Sequence, residues 1–162
     1  GTVTGDYCWH DDLCGAELIC AGTTLNYGIC FPSWMHKVFE VPTPAPIPDG
    51  DSIGLTSWVD VAGLATVEMD VVIKLDITHP DPSQLTLTLY YPYNCEGDPS
   101  QLVVFWDQLQ TGEADLHLHQ AVIGFSGDAY VNGLWSLRVV DSVPGGEGTL
   151  DFWSVEFTSR WD

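Results

Sequence analysis

The sequence predicts an all-β protein: an antiparallel, jelly-roll-like β-sandwich with a small disulfide-rich appendage at its N-terminus. Two observations predict the sandwich. Apolar and polar residues alternate in several short runs, and Gly- and Pro-rich turns separate those runs. A third predicts the appendage: four of the five cysteines fall within the first thirty residues. No run carries a helical stripe, and no internal repeat is visible.

Residues 1–40 read as the appendage. The segment CWHDDLCGAELICAGTTLNYGICFP has too few apolar residues for a core of its own, so cross-links must hold it. Cys8, Cys14, Cys20 and Cys30 are the expected disulfide cysteines, which implies an oxidising, extracellular compartment. Four cysteines allow three pairings, and the sequence does not choose among them. Cys95 is left over, either free or paired. A zinc site built from these cysteines and His10 is the competing reading, but there is no CxxC pair. A chain starting at Gly1 reads as a mature or trimmed fragment.

Residues 41–48, VPTPAPIP, read as a Pro-rich linker in an extended conformation, with an edge strand as the alternative. The sandwich is expected over residues 47–162. In VEMDVVIKLDI, Val67, Met69, Val71, Ile73, Leu75 and Ile77 fall on one face of a strand. In QLTLTLYY, Leu85, Leu87, Leu89 and Tyr91 do the same. Further strands are expected at Ile53–Val61, Leu102–Trp106, Leu116–Ile123, Trp135–Val140 and Leu150–Thr158.

The chain has 23 acidic and 4 basic residues, a formal net charge of −19. Such a surface repels nucleic acid and anionic membranes, so neither is an expected partner. It favours hard cations such as calcium, or high solubility in salt. No stretch is apolar enough to span a membrane. There is no HExxH, no GxSxG and no phosphate-binding glycine loop, so no catalytic residue is assigned. His117 and His119 share a strand face, where they are either metal ligands or ordinary solvated residues.

Three stretches together resemble one known family. They are IPDGDSIGLTSWVDVAG (47–63), VVIKLDITHPDPSQLTLTLYYP (71–92) and NGLWSLRVVDSVPGGEGTLDFWSVEF (132–157). The last is similar to the Gly-x-Trp-x-Leu-x-Val-x-Asp strand, Gly-rich turn and Leu-x-x-Trp-x-x-x-Phe strand of the P domain, or homo B domain, of proprotein convertases and bacterial secreted subtilisin-like and metalloproteases. The resemblance covers about residues 47–161. Two places depart from it: Ser83-Gln84 stands where the family often has Gly-Asp, and the loop from Tyr93 to Asp115 matches poorly.

The resemblance implies a secreted, non-catalytic module that packs against a protease catalytic domain in the same precursor and stabilises it or aids its maturation. It also implies calcium in loops at one end of the sandwich. Asp49, Asp51, Asp141 and Glu147 are the expected ligands, with Asp81 and Asp151 as weaker candidates. Ordinary Asp turn chemistry is the alternative for each. A second function class is a free-standing module that binds glycan or protein surfaces, using Trp58, Trp106, Tyr90, Tyr91 and Tyr93 as an aromatic platform. A third places recognition in the Cys-rich appendage.

Overall fold

Twelve strands, and no α-helix among the described residues, make up the computed structural model. It describes residues 4–21, 28–92, 102–125 and 130–161. Cys95, Tyr93 and Ser126 lie outside them. The strands are β1 (Tyr7–Cys8), β2 (Leu18–Ala21), β3 (Gly28–Pro32), β4 (Trp34–Val41), β5 (Ala45–Ile47), β6 (Asp51–Val61), β7 (Val67–Thr78), β8 (Leu85–Tyr90), β9 (Leu102–Asp107), β10 (Leu116–Ala121), β11 (Gly133–Asp141) and β12 (Gly148–Arg160).

Two antiparallel sheets form the sandwich. One is five-stranded, in the order β10-β7-β12-β4 with β5 also on β12; the other is four-stranded, in the order β6-β11-β8-β9. From β4 to β12 the chain crosses repeatedly between the sheets, as expected for a jelly-roll-like fold. The alternation read from sequence sets which face is buried. Val71, Ile73, Leu75 and Ile77 of β7 point into the core, as do Leu85, Leu87 and Leu89 of β8. Trp135, Trp153 and Phe157 fill its centre, fully buried, with the Trp135 and Phe157 rings 4.6 Å apart. Each indole N–H has an acceptor: Trp135 donates to the Val131 carbonyl (2.7 Å) and Trp153 to Ser57 Oγ (2.9 Å).

The appendage is a separate three-stranded sheet, β1-β3-β2. Its disulfides are Cys8–Cys20 and Cys14–Cys30. All four cysteines are therefore oxidised, which removes the thiolates that the zinc alternative required. Trp161, just past β12, ties this unit to the sandwich: its indole N–H donates to the Pro32 carbonyl (2.8 Å) and its ring lies 5.4 Å from Phe31.

The proline-rich run is not a free linker. β4 pairs with β12 from Val41↔Trp153 to Trp34↔Arg160, and β5 pairs with Gly148–Leu150 of the same strand. The two are successive pieces of one sheet edge, and the prolines at 42 and 44 lie between them. Pro46 sits within β5, where an edge position leaves its missing N–H harmless. Phe39 and Val41 of β4 pack on the core, so the sandwich begins before the boundary expected from composition.

Candidate functional site

Two regions collect the candidate residues: the turn-bearing end of the sandwich, and the outer face of the four-stranded sheet.

At the turn-bearing end, the Gly-rich turn between β11 and β12 folds over the loops that follow β5 and β7. Asp49 accepts hydrogen bonds from the Gly145 N–H (2.9 and 3.0 Å to its two oxygens) and the Gly146 N–H (3.2 Å). Consecutive amides aimed at one carboxylate stabilise its charge and hold the Asp49 carboxyl below its usual value, the Gly145 amide contributing most. Below this turn lies a buried pair. His79 Nε2 is 3.1 Å from Asp141 Oδ2, and both side chains are fully buried. The Asp81 N–H donates to His79 Nδ1 (3.1 Å), so the ring proton sits on Nε2 and points at Asp141. Asp141 accepts a second bond from the Val143 N–H (3.1 Å).

His79 is held through its backbone too. Its N–H donates to Asp115 Oδ1 (3.0 Å) and its carbonyl accepts from the Asp115 N–H (2.8 Å). Asp115 adopts a left-handed φ of 61° to make both bonds. Gly146 and Gly148 lie directly against the imidazole: a Cβ at 148 would collide with Cδ2, and one at 146 would come within 3.3 Å of Cε1. Gly146 and Gly148 therefore permit close approach to His79, while Gly145, with φ +115°, is the glycine whose backbone the turn requires.

The expected metal ligands meet only in part. Asp49 and Asp141 lie at the same end, and Asp51 stands opposite Asp141 in the ladder between β6 and β11. Asp51 accepts from the Ile53 N–H (2.8 Å), Asp151 from Thr78 Oγ1 (2.8 Å), and Glu147 is exposed on the turn. Asp81 caps its own turn through Ser83, whose hydroxyl does most to lower the Asp81 carboxyl. Among the described residues, the only three ligand-type atoms within 4.8 Å of one another are the sulfurs of Cys8, Cys14 and Cys30, all in disulfides. No three carboxylates converge there. Asp141 Oδ2 faces His79, and Asp49 faces two amides.

His79 and Asp141 have the composition of half a hydrolytic triad but not its arrangement. In a triad one ring nitrogen faces the acid and the other receives a proton from a nucleophile. Here that second nitrogen is capped by the Asp81 amide and the ring is sealed from solvent, so the pair holds loops together. His117 Nδ1 on β10 donates to Asp76 Oδ1 (2.7 Å), and that bond raises the His117 pKa. It is exposed, and with His119 it lies on a solvated strand face.

The second region carries the aromatic candidates. Trp106 and Tyr91 are buried, so the platform expected from sequence loses both. Trp106 donates to the Pro82 carbonyl (3.2 Å), and Tyr91 packs against Phe125 and Trp135. Trp58 and Tyr90 remain on the surface, lining a shallow cleft with Ile53, Thr56, Ser136 and Arg138.

The proprotein convertase P-domain model matches residues 68–157, which is 90 of the 162 residues. The chain belongs to the P-domain family. The match runs from β7 through most of β12, so it contains the His79–Asp141 pair and the Gly-rich turn but not β4–β6. Among solved structures, the P domain is similar to a serine protease of Aeromonas sobria in complex with its chaperone, with a TM-score of 0.65 and 16% identity over 81% of this chain. It is also similar to the serine protease of Aeromonas sobria alone, with a TM-score of 0.60 and 16% identity over 80% of this chain. At that identity the likeness concerns the fold. In both cases the P domain spans 28% of the protease chain. No curated protein sequence matched.

Proposed function

We propose that this P domain is the non-catalytic companion of a secreted, bacterial-type protease, and that it stabilises or assists maturation of a peptidase domain in the same precursor. The family match carries the reading, because the P domain is an accessory family. Two features support it: a His–Asp pair buried for loop packing, and disulfides suited to an extracellular setting. Mechanistically, the domain acts by burying apolar surface of its partner, which favours the folded form of both.

The test has two parts. The purified chain is expected to leave casein intact, and joining it to the peptidase domain encoded beside it is expected to raise that domain's Tm and yield. Inhibitor-sensitive cleavage by homogeneous chain, or flanking coding sequence without a peptidase, overturns the reading.

Calcium belongs to this proposal in a narrowed form. With Asp49 on the turn amides and Asp141 on His79, a cation at this end would draw on Asp51 and Glu147 together with backbone carbonyls. A saturable rise in Tm on adding calcium supports that, and a Tm indifferent to both calcium and EDTA removes it.

A further inference from the structure

The two outer faces of the sandwich differ in kind. On the five-stranded sheet the outward side chains include Asp70, Lys74, Asp76, His117, His119 and Glu156. On the four-stranded sheet, residues opposite one another in a ladder share a face, and two rows run across the strands. One row is Trp58, Ser136, Tyr90 and Leu102; the next is Thr56, Arg138, Thr88 and Val104. Trp58 is 56% exposed and Ile53, at the edge of the same face, 72%. Ser136 is buried in the gap between Trp58 and Tyr90 and forms the floor of the cleft, whose volume is about 450 Å³.

Arg138 is fixed there by a device of the backbone. Between Asp141↔Asp51 and Val139↔Leu55 the ladder slips, so Ser52, Ile53 and Gly54 of β6 bulge opposite Val140 alone. Gly54 has φ +71°, and a Cβ there would collide with the Val139 carbonyl. The bulge frees two carbonyls, and Arg138 binds both: Nε to Ile53 O and Nη2 to Ser52 O, each 2.8 Å. A guanidinium has five N–H donors. Two are occupied and three remain for a ligand in the cleft. Among the described residues no carboxylate forms an ion pair with Arg138.

We propose that this cleft binds a neutral β-1,4-linked polysaccharide lying across the strands. Trp58 and Tyr90 are on the first and third of three adjacent strands, a separation of two strand spacings, about 10 Å. An extended β-1,4 chain turns the same ring face toward a surface at every second sugar, and that repeat matches the spacing of the two strands that carry the aromatic residues. Each ring stacks on the C–H face of one sugar. Ser136, Thr56 and the held guanidinium of Arg138 supply hydrogen bonds to the hydroxyls. Charge selects among glycans. A protein of net charge −19 repels polyanionic chains, and Arg138 inside the cleft disfavours a cationic one.

The test uses the full chain on insoluble cellulose, xylan and mannan, with α-linked starch and anionic pectin as controls, followed by calorimetry with the hexaoside of whichever matrix retains it. Retention on at least one neutral β-1,4 matrix is expected. Trp58→Ala and Tyr90→Ala should each weaken binding tenfold or more, with Tm within a few degrees of the parent. Trp34→Ala, which removes an exposed tryptophan on the other sheet, should leave binding unchanged. No retention on any neutral β-1,4 matrix, retention unaltered by Trp58→Ala, or retention on pectin alone overturns the proposal. So does finding that a peptidase domain covers this face and glycan does not bind. The companion role is measured separately, through protease yield and Tm, so either reading can fail without the other.

Discussion

Removing the imidazole of His79 tests whether the buried pair under the Gly-rich turn holds the loops of this end together. In His79→Ala, Asp141 Oδ2 loses its donor while staying fully buried, and a hydrogen bond to a charged group contributes about 1.5–3 kcal/mol. The Asp81 N–H loses its acceptor, for about 1 kcal/mol more. A void against Gly146 and Gly148 adds to both. The sum is about 3–5 kcal/mol, the range found when one partner of a buried pair is deleted. For a domain of this size that is a fall in Tm of about 6–20 °C. Urea unfolding followed by tryptophan fluorescence measures it. Asp141→Ala and the double variant complete a cycle, with a coupling of about 1 kcal/mol or more expected between them. A loss under about 1 kcal/mol for His79→Ala, or strict additivity of the two variants, would refute the reasoning.

Four further expectations follow from the structure. Gly148→Ala drives a Cβ into the His79 ring with the Thr78 carbonyl only 3.1 Å away, so overpacking should cost about 1–3 kcal/mol in the same unfolding assay. Asp49 has a folded pKa below its unfolded value, so its contribution is present above the ordinary carboxylate range of about 3.9 and is lost as pH falls through the folded pKa. Asp49→Asn should therefore flatten the acid limb of a Tm-versus-pH profile. His117 has a raised pKa, so its contribution is present below about 6.5 and is lost as pH rises through the folded value. His117→Gln should remove that decline and, since the pair with Asp76 is exposed, salt should shrink it. Cutting Cys14–Cys30 by the double Cys→Ser variant opens a loop of sequence separation 16 and should cost the appendage about 3 kcal/mol, read as faster proteolysis before Pro32 with the sandwich core intact.

The sandwich was legible because its signal is local. Alternation at period two names the inward face of β7, β8, β11 and β12 without knowledge of their partners, and the Trp and Phe positions of β11 and β12 are core for the same reason. β4 was not legible as part of the sheet. WMHKVFEV adjoins the Cys-rich segment and precedes a run of prolines, and only pairing with β12 makes it an edge strand. The hydrogen-bond partners of the acidic residues were not legible. Asp suits both calcium and backbone N–H groups, and sequence alone does not show which hydrogen-bond donors it meets. Folding brings the Gly145 and Gly146 amides to Asp49 and an imidazole to Asp141. The aromatic platform was half legible, since alternation does not say that Trp106 and Tyr91 turn inward while Trp58 and Tyr90 stay out.

By itself the sequence determined the fold class, the cysteines that cross-link, the strands with one buried face and the family, because each depends on residue type at short spacing. Only the tertiary structure decided the disulfide pairing, the union of His79 with Asp141, and the placing of Arg138 beside Trp58 and Tyr90. Those depend on which strands lie side by side, and strand neighbours here pair residues as far apart as Trp34 and Arg160. Such contacts form only when burial of the whole core outweighs the chain entropy that opposes them.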